Sequence, residues 1–141
     1  MLDYEKFSTG FLITKASRIV IHMYQKELSQ YGVTPPQSSI LWILAKTREV
    51  SQTEIVRALM LDKANVSALV RKLKEEGFLQ VRQADNDGRK SMLSLTQKGK
   101  DMVKKIDKID KKISQVIEKT VSGPDLNKSR AFLNGILKMA Q

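Results

Sequence analysis

The sequence predicts a mainly α-helical fold carrying one small β-hairpin, and three observations lead there. Val66, Leu69, Val70 and Leu73 recur at i, i+3, i+4 and i+7, the spacing of one buried helical face. Gly77 then stops that helix. Phe78 to Ala84 reads as a strand, Asp85-Asn86-Asp87-Gly88 as a turn and Arg89 to Leu95 as the returning strand. A short helix ends only about three residues before Asp62, the residue placed to cap the helix with the apolar face. Helix, tight turn, helix and hairpin in that order make a winged helix-turn-helix. Such a module offers a helix to a major groove, so double-stranded DNA is the partner it points to.

The elements follow in order. Residues 5 to about 30 read as one long helix: Phe7, Phe11, Leu12, Ile19, Val20, Met23 and Leu28 keep helical spacing. Ile13, Ala16, Ile21 and Tyr24 widen that apolar surface beyond one stripe, which implies more than one packing partner. Gly10 near its start is a place to fray or bend, and Gly32 is its stop. Thr34 caps a second helix, with Pro35 at its first position and Gln37 completing a capping box. Ile40, Leu41, Ile43 and Leu44 are its buried side, with Trp42 beside them.

Ser51-Gln52-Thr53-Glu54 is another capping box, opening a short helix with Ile55, Val56, Leu59 and Met60 as its core face. A helix start exposes N–H groups to an anion, so Ser51, Gln52 and Thr53 are candidate phosphate contacts; capping accounts for Ser51 and Glu54 regardless. In the helix that Asp62 caps, the face opposite the apolar one carries Lys63, Ala64, Asn65, Ser67, Ala68, Arg71 and Lys72.

Thr96 caps a lysine-rich helix that runs to about Lys119. Its apolar residues Met102, Ile106, Ile109, Ile113 and Val116 are spaced four, three, four, three, the seam of a coiled coil or close helix pair. Gly123-Pro124-Asp125 opens a last helix, with Leu126, Phe132, Leu133, Ile136, Leu137 and Met139 as apolar contacts. The order is α-α-α-α-β-β-α-α. A compact lobe, residues 34–96, sits between terminal helical regions, 1–33 and 97–141, too apolar to stand in solvent. The economical solution packs those helices against a second copy as a two-fold homodimer.

Composition agrees and excludes other classes. At 141 residues the chain is one structural domain, and 25 Lys+Arg against 15 Asp+Glu give a net charge of +10. Such a field attracts polyanions, nucleic acid before an anionic membrane surface. With no cysteine, disulfides, thiolate metal sites and thiol-based peroxide sensing are excluded. His22 is the single histidine, so a multi-histidine metal site within one chain is excluded, and no cofactor is expected. There is no phosphate-cradling glycine loop and no carboxylate–histidine cluster, which argues against an enzyme. No segment approaches the apolar length of a membrane span, and Met1-Leu2-Asp3-Tyr4-Glu5 is no signal peptide, so a cytoplasmic protein is expected.

The run from Asp87 through Arg89, Leu95 and Thr96 to Gly99 fits the pattern D-x-R-x5-L-T-x-x-G. Lying on the wing, directly after a helix-turn-helix, it resembles the signature of the MarR family of bacterial and archaeal transcriptional regulators. The resemblance covers nearly the whole chain. It implies a homodimer with two winged helix-turn-helix lobes that binds a pseudo-palindromic operator, usually as a repressor. It places Arg89 in a minor groove, with Asp87 holding it, and Lys63, Asn65, Ser67, Ala68 and Arg71 against a major groove. Lys72 and Lys90 flank these contacts, and Gln52 and Thr53 approach the backbone. Ala68 departs from relatives that carry arginine there; it offers only an apolar contact, such as to a thymine methyl, so base readout falls on Asn65, Ser67 and Arg71.

The family also implies a small phenolic or other aromatic anion as effector, bound between the dimerisation region and the DNA-binding lobe. Arg18 would balance its charge, and His22, Tyr24 and Trp42 are the residues to inspect. The alternative is a winged-helix module for protein interaction or architecture, its basic surface incidental. Arg71→Ala and Arg89→Ala separate the two readings.

Overall fold

The computed structural model describes residues 1–84 and 87–140, except for the side chains of residues 87–89. The elements run α1 (Thr9–Leu28), α2 (Pro35–Lys46), β1 (Val50–Ser51), α3 (Gln52–Leu59), α4 (Lys63–Glu75), β2 (Leu79–Ala84), β3 (Asp87–Leu95), α5 (Gln97–Glu118) and α6 (Gly123–Lys138). The fold is mainly helical with a small antiparallel wing, as the sequence predicts.

The first helix is not continuous from residue 5. A 3-10 turn, Tyr4–Lys6, precedes it. Ser8 then caps α1, its hydroxyl accepting from the Phe11 N–H at 3.3 Å. That cap satisfies an orphan donor of the first turn and sets the helix start at Thr9, four residues later than the apolar pattern suggests. At the other end Gly32 takes φ +66°, the left-handed conformation that ends the chain's first helical stretch. The capping box of α2 forms as expected: the Gln37 N–H donates to Thr34 Oγ1, and the Thr34 N–H donates to Gln37 Oε1 at 2.9 Å.

The wing has a third strand that the hairpin reading lacks. Val50 pairs with Leu93 and Ser51 with Met92, so the sheet order is β1-β3-β2. Two residues carry no alternation, and only the pairing reveals them. Ser51 therefore closes β1 and caps α3 together. It is buried, and its hydroxyl and N–H both donate to Glu54 Oε2, at 2.6 and 2.8 Å. Its hydroxyl is thus engaged in capping, the role the sequence also gives it. Met60 is a correction to the expected core face. It adopts φ +51° at the end of α3 and is 65% exposed, because the left-handed cap carries it off the core face.

The core joins Leu28, Ile40, Leu41 and Leu44 of the first two helices to Ile55, Val66, Leu73, Leu79 and Leu93 of the lobe. The row Met102, Ile106, Ile109 and Ile113 of α5 is buried against α1 and α2 of the same chain. The expected coiled-coil seam is thus filled within the protomer, and Val116 drops out of it, exposed. By contrast, none of the described residues of α6 is buried. Phe11, Leu12 and Ile19 on α1, Val116 and Ile117 on α5, and Phe132, Leu133 and Leu137 on α6 all remain exposed.

The junction between α4 and α5 is welded. Thr96 Oγ1 donates to the Gly77 carbonyl at 2.6 Å, and the Thr96 N–H donates to the Phe78 carbonyl at 3.1 Å. Thr96 also caps α5, accepting from the Gly99 N–H at 3.1 Å. Lys98 Nζ reaches the Glu76 carbonyl at 2.6 Å. Gly99 is buried so close to this turn that a Cβ would lie 2.0 Å from the Phe78 carbonyl oxygen. Leu95-Thr96-x-x-Gly99 is therefore a mechanical joint between the end of α4 and the long helix α5.

Candidate nucleic-acid interface

Helix α4 is positioned from both ends. Asp62 accepts from the Asn65 N–H at 2.8 Å and from Asn65 Nδ2 at 2.9 Å. Gly77, at φ +80°, turns the chain into the wing. Burial of Val66, Val70 and Leu73 turns the opposite face outward, and Lys63, Asn65, Ser67, Ala68, Arg71 and Lys72 are all exposed. Among the described residues Lys63, Arg71 and Lys72 make no ion pair, so their charge faces solvent uncancelled.

Two of the polar residues are already partnered. Gln52 Nε2 donates to Ser67 Oγ at 2.7 Å, tying the start of α3 to the middle of α4. Ser67 keeps its own proton to donate. Asn65 keeps its amide oxygen and one N–H, the other being held by Asp62. The sequence reading named Gln52 and Ser67 separately as contacts; their mutual hydrogen bond makes Gln52 a residue that also positions α4.

Where α3, α4 and the wing meet there is a cleft of about 360 Å³, lined by Ser51, Gln52, Thr53, Val56, Lys63, Lys90 and Ser91. Thr53 is exposed at the start of α3, and Lys90 is exposed on β3. A helix start and two cations around one opening make a cradle for an anion. Glu54 beside it stays ionised. Its carboxyl is held below the usual range by hydrogen bonds from the Ser51 side chain and backbone, then by the charges of Lys90 and Arg57.

The wing is braced by a pair the sequence reading missed. Arg82 Nε and Nη2 donate to the two Glu49 carboxylate oxygens, each at 2.6 Å. This fork joins β2 to the approach of β1, and it holds the Glu49 carboxyl below its ordinary range. The pair becomes visible only once the third strand is known. The side chains of Asp87 and Arg89, and the turn residues Asp85 and Asn86, lie outside the described residues.

A separate cavity of about 280 Å³ lies between α1, α2 and α5, lined by Val20, Ile21, Tyr24, Pro35, Ser38, Ser39, Trp42, Ile106 and Asp110. Trp42 is on its wall, as is Tyr24. Arg18 and His22 are not; both are exposed on α1, outside the cavity's walls. Trp42 Nε1 donates to Asp107 Oδ1 at 2.7 Å, and the Tyr24 hydroxyl donates to Asp110 Oδ1. Burial, then the bond and charge of Asp110, push the Tyr24 hydroxyl above its usual range, so it stays protonated. Among the described residues no cluster of His, Cys, Asp or Glu suits a metal ion, and no helix is long and apolar enough to cross a membrane.

The sequence model of the MarR family matches residues 31–90, from just before α2 into the wing. The regulator SarZ of Staphylococcus epidermidis is 25% identical over 92 residues, 65% of this chain and 62% of its own. The chain thus spans about three fifths of that relative's length. The organic hydroperoxide resistance regulator of Bacillus subtilis is 23% identical over 128 residues, covering 91% of this chain and 86% of its own. In fold, a crystal structure of MarR superposes with a TM-score of 0.88 at 18% identity, over 99% of this chain and 95% of that one. The Staphylococcus aureus MepR–DNA complex gives 0.85 at 22% identity, over 95% and 99%. A MarR variant from E. coli complexed with operator DNA gives 0.83 at 18%, over 97% and 99%. The sequence of the MarR family thus lies on residues 31–90, the helix-turn-helix and most of the wing, and the fold of a solved MarR protein extends over nearly the whole chain.

Proposed function

We propose that this protein is a homodimeric, sequence-specific regulator that binds double-stranded DNA at a pseudo-palindromic operator, as a repressor whose affinity is set by a small ligand. The observation that carries the reading is the outward face of α4. It presents three cations that make no ion pair among the described residues, flanked by the Lys63–Lys90 cleft, in a fold whose relatives include proteins crystallised with DNA. In this reading Arg71, Asn65, Ser67 and Ala68 meet base edges. Lys63, Lys72, Lys90, Gln52 and Thr53 take phosphates, and Arg89, held by Asp87, enters the adjoining minor groove.

Dimerisation is supported by α6, which buries nothing within its own protomer, and by the exposed apolar residues of α1 and the end of α5. Residues 1–33 and 97–141 would supply the interface, and 34–96 the reading lobe. The B. subtilis relative is named for organic hydroperoxide resistance. This chain has no cysteine, so thiol oxidation is unavailable as its signal, and a bound ligand is the simpler input.

Site selection from random duplex DNA, followed by salt titration on the selected site, tests the proposal. The expected result is a pseudo-palindrome with half-sites about one helical turn apart and a steep loss of affinity with salt. Arg71→Ala and Arg89→Ala should each weaken binding by about 1–3 kcal/mol with the dimer intact. Salt-sensitive binding without sequence preference, unchanged by either substitution, would refute the operator reading in favour of an architectural or protein-interaction role.

A further inference from the structure

We propose that the cavity between α1, α2 and α5 binds a compact hydrophobic organic cation, not the aromatic anion that the family resemblance implies. The inference rests on the ligand-responsive part of the function proposed above and assigns the ligand's charge.

The walls decide the sign. Val20, Ile21, Pro35 and Ile106 supply apolar surface, and Tyr24 and Trp42 supply aromatic rings. Among the described residues, the ionisable groups on the wall are the Tyr24 phenol, kept protonated, and Asp110. Among the described residues no Lys, Arg or His lines the cavity, although the chain as a whole carries +10. Arg18, the residue expected to balance an anion, lies outside it. A carboxylate ligand here would meet another carboxylate with no counter-charge, which burial makes costly.

The acids are also presented for use. Asp110 and Asp107 sit on the lysine-rich helix α5, yet neither makes a salt bridge among the described residues. Each is anchored through Oδ1 by a neutral donor, Tyr24 and Trp42 respectively. The second oxygen of each carboxylate has no partner among the described residues. Of the lysines on α5, Lys112 pairs with Glu27 at 2.7 Å and Lys104 with Asp101 at 3.4 Å. The Trp42 ring already accepts a cation in this fold, since Lys46 Nζ lies 5.3 Å from its centroid, and Lys46 is not among the cavity's walls. An aromatic face, an anchored carboxylate and apolar walls together suit a quaternary or protonated amine carrying a ring. The volume, about 280 Å³, is at the lower end for small-molecule sites and limits the ligand to a compact one.

Trp42 is the single tryptophan of the chain, so its emission reports directly on the cavity. The full-length protein is titrated, without DNA, with benzyltrimethylammonium and with phenylacetate as an anion of similar size. The expected result is a saturable change with the cation alone. Asp110→Asn keeps an acceptor for the Tyr24 hydroxyl and should weaken the cation about tenfold, the loss of one charge-assisted contact. A circular dichroism melt verifies that the variant is folded. Preferential binding of phenylacetate, binding of neither probe, or cation affinity unchanged in Asp110→Asn would overturn the proposal. Failure of the operator reading would show instead in the site selection and leave this titration unaffected.

Discussion

Gly99→Ala tests whether the joint between α4 and α5 is as tight as the geometry says. The added Cβ would lie 2.0 Å from the Phe78 carbonyl oxygen and 3.1 Å from both Leu95 Cδ2 and the Phe78 carbonyl carbon. An ordinary C···O contact needs about 3.3 Å, so the start of α5 and the α4–β2 turn must separate by more than about 1 Å. The obstacle is backbone, which cannot rotate aside. The same turn is held by the Thr96 and Lys98 hydrogen bonds, at 2.6, 3.1 and 2.6 Å. Overpacking of this severity costs about 3 kcal/mol, and weakening one of those bonds about 1 more. Alanine returns about 1 kcal/mol through its better helix propensity. The net loss is about 3 kcal/mol, a fall in Tm of about 10 °C for a chain of this size. Calorimetric or circular dichroism melts against Gly10→Ala make the comparison. Gly10 has nothing within 4 Å of its Cβ position, so the same substitution there should gain up to about 1 kcal/mol. A Gly99→Ala protein that melts at or above the wild type would refute the reasoning.

Three further outcomes follow from other parts of the structure. Met60→Gly should stabilise by about 0.5–1 kcal/mol in urea unfolding, because Met60 is held at φ +51° while 65% exposed; a destabilised variant would mean that its side chain packs. Leu133→Glu, at a position 51% exposed on α6, should give a folded monomer in sedimentation, whereas Ile109→Glu, 6% exposed, should unfold the protomer. A Leu133→Glu protein that stays dimeric would remove that face from the interface. Glu49 is held below the usual carboxylate range by Arg82, so its contribution is present above about pH 4.3 and is lost as the pH falls through the depressed value. Urea midpoints measured down to about pH 3 should therefore fall less steeply for Glu49→Gln than for the wild type, and parallel profiles would show that the pair contributes nothing to the acid limb.

The family pattern illustrates the difference between recognising a residue and knowing what it does. Gly99 is conspicuous in the sequence as the last position of D-x-R-x5-L-T-x-x-G. Its reason is the Phe78 carbonyl, which comes beside it only when α4 has turned through Gly77 into β2. Likewise Gln52 and Ser67 each read as polar surface. That one donates to the other depends on how α3 and α4 cross.

What the sequence by itself determined is the part carried by local physics. Caps at Thr34, Ser51, Asp62 and Thr96 act within one helical turn, and so do the stops at Gly32 and Gly77. The apolar period of α4 decides which face turns outward, and with it the exposure of Lys63, Arg71 and Lys72. Ser8 was a local signal too, overridden in the reading by an apolar pattern that begins before it. Only the tertiary structure decided what depends on residues far apart in the chain. The pairing of β1 with β3, and the Glu49–Arg82 fork that follows from it, leave no trace in a two-residue strand. The periodic row of α5 says that it must be buried, but helix spacing is the same whether the partner is α1 and α2 or another copy. The charge of the cavity is the clearest case: Trp42 meets Asp107 across 65 residues and Tyr24 meets Asp110 across 86. No local pattern encodes that meeting, and it replaces the arginine that α1 alone suggested with a carboxylate from α5.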